Sequence, residues 1–181
     1  MNRRARGFSL IEMVMVLGVA ALLMAVGAPA VGSILASVKL TSVSNALLFD
    51  LYLARSEAIK RNARVVLCKS ADGLTCASSG GWEQGAIVFH DVNNSGQRDP
   101  GESMIYHEQR STSEIRVSGN QSVGNYVSYG PDGRSRMASG AFQAGTLTLC
   151  RRSADSTDAR QIVINSGGRP RVQKTLVSFC G

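Results

Sequence analysis

The sequence predicts an α+β protein in which a long N-terminal α-helix, membrane-spanning in its first half, packs against a mostly antiparallel β-sheet head. Three observations predict it. Residues 13–38 carry no charged side chain, and such a run is long enough to cross a bilayer as a helix. Leu40, Val43, Leu47, Leu51, Ala54 and Ala58 then recur at three- and four-residue steps, with Ser, Asn, Asp, Arg and Glu between them. That is the spacing of an amphipathic helix with one buried stripe. Beyond Arg64, short apolar runs alternate with Gly- and Ser-rich turns, the pattern of strands.

The 181 residues suffice for one domain with a real core. The expected organisation is a leader over residues 1–7, a transmembrane segment over 8–38, the amphipathic half of the helix over 39–63, and a head over 64–181. Arg3, Arg4 and Arg6 make the leader basic. A secretory signal places its small-residue cleavage site after the apolar stretch. Here the small residue, Gly7, precedes it, so cleavage at Gly7 leaves the helix attached. The arginines put the N-terminus in the cytoplasm and the head outside. The helix should run from Phe8 to about Asn62, roughly 80 Å at 1.5 Å per residue. Strands are expected at 64–69, 86–91, 104–108, 115–118, 126–129, 146–151, 161–165 and 169–174.

Glu12 interrupts the apolar run. A carboxylate at the edge of a span costs on the order of 2–3 kcal/mol and usually has a function. After cleavage it lies four residues from the new amine of Phe8. In a packed bundle it can neutralise the amine of a neighbouring subunit; alone, it can reach the headgroups.

Gly7-Phe8-Ser9-Leu10-Ile11-Glu12 followed by the apolar run resembles the class III signal of type IV pilins and type II secretion pseudopilins. The resemblance implies that a prepilin peptidase cuts after Gly7 and methylates Phe8, and that Glu12 is the assembly residue. It implies partnership with other pilins, an inner-membrane stage with a periplasmic head, and a final place in an extracellular filament. Pro29 resembles a helix-kinking proline of the same segment.

The head resembles the FimT/GspH group of minor pilins and pseudopilins. Trp82, Gly85, Ile87-Val88-Phe89 and the loop from Asp91 to Glu102 carry this likeness. It implies a long helix under a β-sheet head, a low-abundance place in the filament, no cofactor and no enzymatic activity. The residues agree on the last point: His90 and His107 lack HExxH spacing, and there is no GxSxG elbow or phosphate loop.

Cys68, Cys76, Cys150 and Cys180 form no CxxC pair, which argues against zinc or thioredoxin-type chemistry. An exported head oxidises its cysteines. Of the three pairings, Cys68–Cys76 with Cys150–Cys180 keeps each bridge local to one half of the head. The loop at 91–102 fits the calcium template D-x-[DN]-x-[DN]-G-x5-E, with Asp91, Asn93, Ser95 and Glu102 as side-chain ligands, the Gln97 carbonyl as another, and Asp99 direct or through water. The template expects flanking helices, however, and here strands flank it. The alternative is a long hairpin loop of turn formers, and the family resemblance implies this loop without a metal.

Charge is uneven. Residues 134–181 hold eight basic and two acidic side chains, a net of +6. Such a bias suits an anionic partner or a solvated face. Within it stands Gly167-Gly168-Arg169-Pro170-Arg171. In an extended strand Arg169 and Arg171 share one face, and Pro170 between them suits an edge strand. Two adjacent guanidinium forks fit successive phosphates, or else discourage edge aggregation. Gly168-Arg169-Pro170-Arg171 resembles the GRxR motif of FimT-type minor pilins, which bind DNA in natural transformation. The resemblance implies DNA binding by Arg169 and Arg171, and some of Lys174, Arg134, Arg136, Arg151 and Arg152 are expected to support it. No aromatic stacking series interleaves with these residues, so the expected partner is double-stranded DNA, bound through phosphates without sequence preference. The rival functions are a structural minor pilin that primes assembly and a type II secretion pseudopilin.

The Gly7–Phe8 junction makes a first prediction. The mature chain begins at Phe8, and N-terminal sequencing of membrane-extracted protein checks this. A start at Met1, or one beyond Ala36, refutes it.

Overall fold

The computed structural model describes residues 7–109 and 114–180. Arg3, Arg4 and Arg6 of the leader and the side chain of Pro29 lie outside the described residues. The described chain divides into two compact units, one ending at Lys39 and the other beginning at Leu40.

Helix α1 spans Leu10–Arg61. Its start is capped, because the Glu12 N–H donates to the Ser9 hydroxyl at 3.3 Å. Ser9 followed three residues later by Glu12 is the pattern of a capping box, so Glu12 also belongs to the start of the helix. The far end closes on Asn62, whose φ is +50°. There the Ala63 N–H donates to Ala58 O and the Asn62 N–H to Ile59 O, both at 3.2 Å, the hydrogen-bond pair of a Schellman motif.

In the first unit Leu10, Met13, Leu17, Leu22, Leu23 and Leu35 are all more than half exposed. A helix that is apolar all round needs a bilayer or other helices to cover it. Ile34–Arg61 is also apolar enough by composition to span a membrane, but from Leu40 onward its apolar stripe is committed to the head.

The head contains β1 (Val65–Lys69), β2 (Gly85–His90), β3 (Met104–Gln109), β4 (Ile115–Gly119), β5 (Tyr126–Tyr129), β6 (Gly145–Arg151), β7 (Thr157–Ile164) and β8 (Pro170–Val177). All eight expected strands are present. They form two four-stranded sheets, ordered β3-β2-β1-β5 and β4-β6-β7-β8, where the sequence suggested one. Pairing is antiparallel throughout the described sheets. β7 starts four residues earlier than expected and β8 runs three residues further. Cross-strand pairing from Thr157↔Val177 to Ile164↔Pro170 carries both through polar stretches that show no apolar alternation.

One core joins the helix to both sheets. Leu40, Leu47, Leu51, Ala54 and Ala58 pack with Val65, Leu67 and Val127 of the first sheet and with Leu147, Leu149, Ile162 and Ile164 of the second. Val43, expected in this stripe, is only partly buried, while Ser44 and Asp50 are buried. A second cluster of Val66, Cys68, Ile87 and Phe89 covers the other face of β1 and β2. Burial on both faces explains why these strands read as continuous apolar runs. Trp82, the only tryptophan of the sequence, is 1% exposed and donates its indole N–H to Val123 O at 3.1 Å.

Cys68–Cys76 and Cys150–Cys180 are disulfides with Cα separations of 5.6 and 6.0 Å. The second ties the C-terminal end to β6 beside Ala159 and Val177.

Burial at the helix–sheet seam predicts two unequal outcomes from one substitution. Leu51→Ala, at 0% exposure, costs about 2–5 kcal/mol. Leu74→Ala, at 60% exposure, changes stability by less than about 0.5 kcal/mol. Denaturant titration followed by Trp82 fluorescence measures both.

Candidate nucleic-acid interface

The turn from β7 to β8 is built on a close backbone approach. The Gly168 N–H donates to Asn165 O at 2.9 Å. Gly168 has φ +73°, and a Cβ there would lie 2.2 Å from Gly133 O and 3.2 Å from the Arg134 Cα. Only glycine meets both demands. The contact sets Arg169 beside Arg134, residues far apart in sequence.

The partner segment has the same design. Gly133, at φ +70°, closes a turn by donating its N–H to Gly130 O at 2.9 Å. Its own carbonyl accepts from Arg55 Nε at 2.9 Å. The Ser135 hydroxyl lies 2.6 Å from Gln143 O and 2.9 Å from Asn165 O, so it joins this segment to the β7–β8 turn. Tyr52 completes the corner by donating its hydroxyl to Pro170 O at 3.2 Å.

The structure thus places two G-R-x-R segments side by side, Gly133-Arg134-Ser135-Arg136 and Gly168-Arg169-Pro170-Arg171. In each, the residue between the arginines is buried, so the arginines turn outward. Arginines two residues apart on extended chain stand about 6.7 Å apart. Arg169 and Arg171 are exposed, and among the described residues neither guanidinium has a hydrogen-bond or ion-pair partner. Arg134 and Arg136 share Asp132, at 3.9 and 2.9 Å. The Arg136 hydrogen bond is the main reason the Asp132 carboxyl sits below the usual carboxylate range. The stability this group adds is therefore complete above the unfolded pKa of about 3.9 and is lost as pH falls through the lower folded value. At neutral pH Asp132 stays charged and offsets one of the four positive charges.

Three other expected contributors lie elsewhere. Lys174 pairs with Arg160 across β7 and β8. Being three residues from Arg171, it belongs to the opposite face of the strand. Arg151 and Arg152 lie toward the other end of the sheet. Cys150 pairs with Ala159, whereas Pro170 pairs with Ile164, five residues or about 17 Å along β7. Arg152 is also bound to Glu83 at 3.0 Å.

Sequence reasoning missed Arg55 and Tyr52. Nothing local marks them, because their contacts depend on where the helix crosses the sheet. It also missed the second G-R-x-R segment, which the repeated tetrapeptide could have revealed.

The 91–102 loop is tied by its own carboxylates. Asp91 accepts the Ser95 and Gly96 N–H groups, each at 3.0 Å. Glu102 accepts the N–H groups of Val92 at 2.8 Å and Asp99 at 3.0 Å. Asn93 donates to Asp99 at 2.8 Å, and the Ser95 hydroxyl donates to Gln97 O at 2.9 Å. Burial, the largest influence, raises the Asp91 carboxyl above its ordinary value. Asp91 and Glu102 thus accept backbone N–H groups, while the Asp99 carboxylate accepts from side chains.

The capped apolar helix joined to a two-sheet antiparallel head defines the class as a pilin-like filament subunit. The family profile described as "Type II transport protein GspH" matches residues 43–168. The profile described as "Prokaryotic N-terminal methylation motif" matches residues 2–28. The chain belongs to the GspH family of type IV minor pilins and pseudopilins. A search of the curated proteins finds no match. Two crystal forms of the type IV minor pilin FimU of Pseudomonas aeruginosa (strain PAO1) share the fold at 16% identity. The P21 form gives a TM-score of 0.58, covering 79% of this chain and 96% of FimU. The P65 form gives 0.55, covering 78% and 100%. The methylation motif and apolar helix make this an inner-membrane-anchored pilin whose head is periplasmic before incorporation into pili. The GspH match ends at Gly168, so family membership is independent of Arg169 and Arg171.

The Gly168 contact predicts a local asymmetry. Gly168→Ala forces a side chain into the left-handed region and into Gly133 O, and destabilises the head by more than about 1 kcal/mol. Gly167→Ala meets only the flexible Asn165 side chain, at 3.2 Å, and has little effect. Denaturant midpoints compare the two.

Proposed function

We propose that this minor pilin binds double-stranded DNA, without sequence preference, for uptake in natural transformation. The observation that carries this reading is the pairing of the two G-R-x-R segments. They present Arg134, Arg136, Arg169 and Arg171 outward around one fixed backbone contact, with Asp132 as the acid among them. Planar guanidinium forks on a rigid support suit phosphate oxygens. Phosphate contacts carry no base information, so affinity is general and falls with salt. In the same reading Glu12 acts in assembly, neutralising the Phe8 amine of a neighbouring subunit, while the arginine corner acts on DNA.

A second reading is a pseudopilin of a type II secretion system, favoured by the description of the matched family. Deletion separates the two readings: loss of DNA uptake supports the first, and loss of protein secretion with pili intact supports the second.

Arg169→Gln with Arg171→Gln in the detergent-solubilised full chain strongly weakens binding of unrelated duplexes alike. It flattens the slope of log affinity against log salt by roughly 2. Arg151→Gln with Arg152→Gln changes that slope little, because those residues lie about 17 Å away along the sheet. Undiminished duplex binding by the Arg169/Arg171 variant in an anisotropy titration at moderate salt would remove the proposal.

A further inference from the structure

Phe142 is the feature that phosphate binding does not explain. It is 57% exposed and belongs to none of the core clusters of the described residues. Its backbone is nevertheless fixed. Phe142 bridges Arg136 in antiparallel pairing. The intervening turn is closed by Met137 N–H to Ala141 O at 2.8 Å and Gly140 N–H to Met137 O at 2.9 Å. Its neighbour Gln143 is fully buried and donates to Ser122 O at 2.7 Å and Tyr126 O at 2.9 Å. An exposed ring is thus carried on anchored chain.

The ring also sits within the arginine corner. The Arg136 guanidinium carbon lies 5.7 Å from the ring centroid, in the range of a cation–π contact. Ser135 reaches the carbonyls of both Gln143 and Asn165, so the ring adjoins the junction that positions Arg169. A protein partner would have to bring an apolar patch among four guanidinium groups. A nucleotide brings both things this surface accepts, an anionic phosphate and a flat π face. In the interior of a paired duplex the base faces are stacked on one another, whereas an unpaired base can offer a free face to the ring.

We propose that Phe142 is a stacking platform for an unpaired base, so that the site takes single-stranded overhangs and frayed ends in preference to fully paired DNA. This rests on the reading of the arginine corner as a DNA site. The arginines hold the phosphates on either side of the junction, and the ring takes the terminal base.

The test uses the detergent-solubilised full chain and one DNA sequence in two forms. One is a duplex closed at both ends by polyether linkers; the other is the same duplex with a single-stranded overhang carrying a fluorescent purine analogue. The unmodified protein binds the overhang form about tenfold more tightly and quenches the analogue on binding. Phe142→Ala brings the overhang affinity down to that of the closed duplex and abolishes the quenching, while Phe142→Trp retains both. The closed duplex binds the unmodified protein and Phe142→Ala equally, which also shows that the variant is folded. Equal affinity of the unmodified protein for the two forms overturns the inference and leaves the arginine reading standing. An equal loss on both forms in Phe142→Ala, with the salt slope lowered, also overturns it, since the ring then only positions Arg136. Absence of binding to either form removes the arginine reading and this inference with it.

Discussion

The head depends on the burial of one helix stripe. Leu47, Leu51, Ala54 and Ala58 meet inward-facing residues of both sheets, so neither sheet has a complete core without the helix. Apolar burial is the main favourable term in folding. Here it also requires the chain to continue into the head as helix. Ala54 and Ala58 matter through their small size, because they let the helix lie close to the sheets. That closeness in turn lets Tyr52 and Arg55 reach the carbonyls of Pro170 and Gly133.

The arginine corner is a consequence of this packing. Guanidinium groups gathered without packing would repel and spread. Here the buried residues Ser135 and Pro170 hold the backbone, and two glycines at positive φ allow the segments to touch. The arginines keep solvated charges while their main chains are held in place. Asp132 offsets part of this charge through Arg134 and Arg136, leaving Arg169 and Arg171 the least encumbered. The apolar helix serves the membrane and filament, and the DNA-binding role we propose falls to the arginine corner of the head.

The 91–102 loop shows how one set of residue types supports opposite readings. Asp, Asn, Ser and Glu at calcium-loop spacing are also the residues that accept backbone N–H groups in tight turns. With β2 and β3 as flanks, the N–H groups of Val92, Ser95, Gly96 and Asp99 point at Asp91 and Glu102, a pattern both readings accommodate.

The sequence by itself determined the uncharged span, the basic leader before Gly7, the amphipathic continuation of the helix, the positions of eight strands and the edge character of the Arg169–Arg171 segment. These follow from local spacing, turn chemistry and composition, which act over a few residues. Only the tertiary structure decided that the strands form two sheets and that Lys174 faces away from Arg171. It also decided that Arg151 and Arg152 lie apart from the other arginines, and that Gly133–Arg136 stands against Gly168–Arg171. Such features depend on strand register and on contacts between residues distant in the chain. A one-residue change of register exchanges the two faces of a strand, and no local pattern reports it.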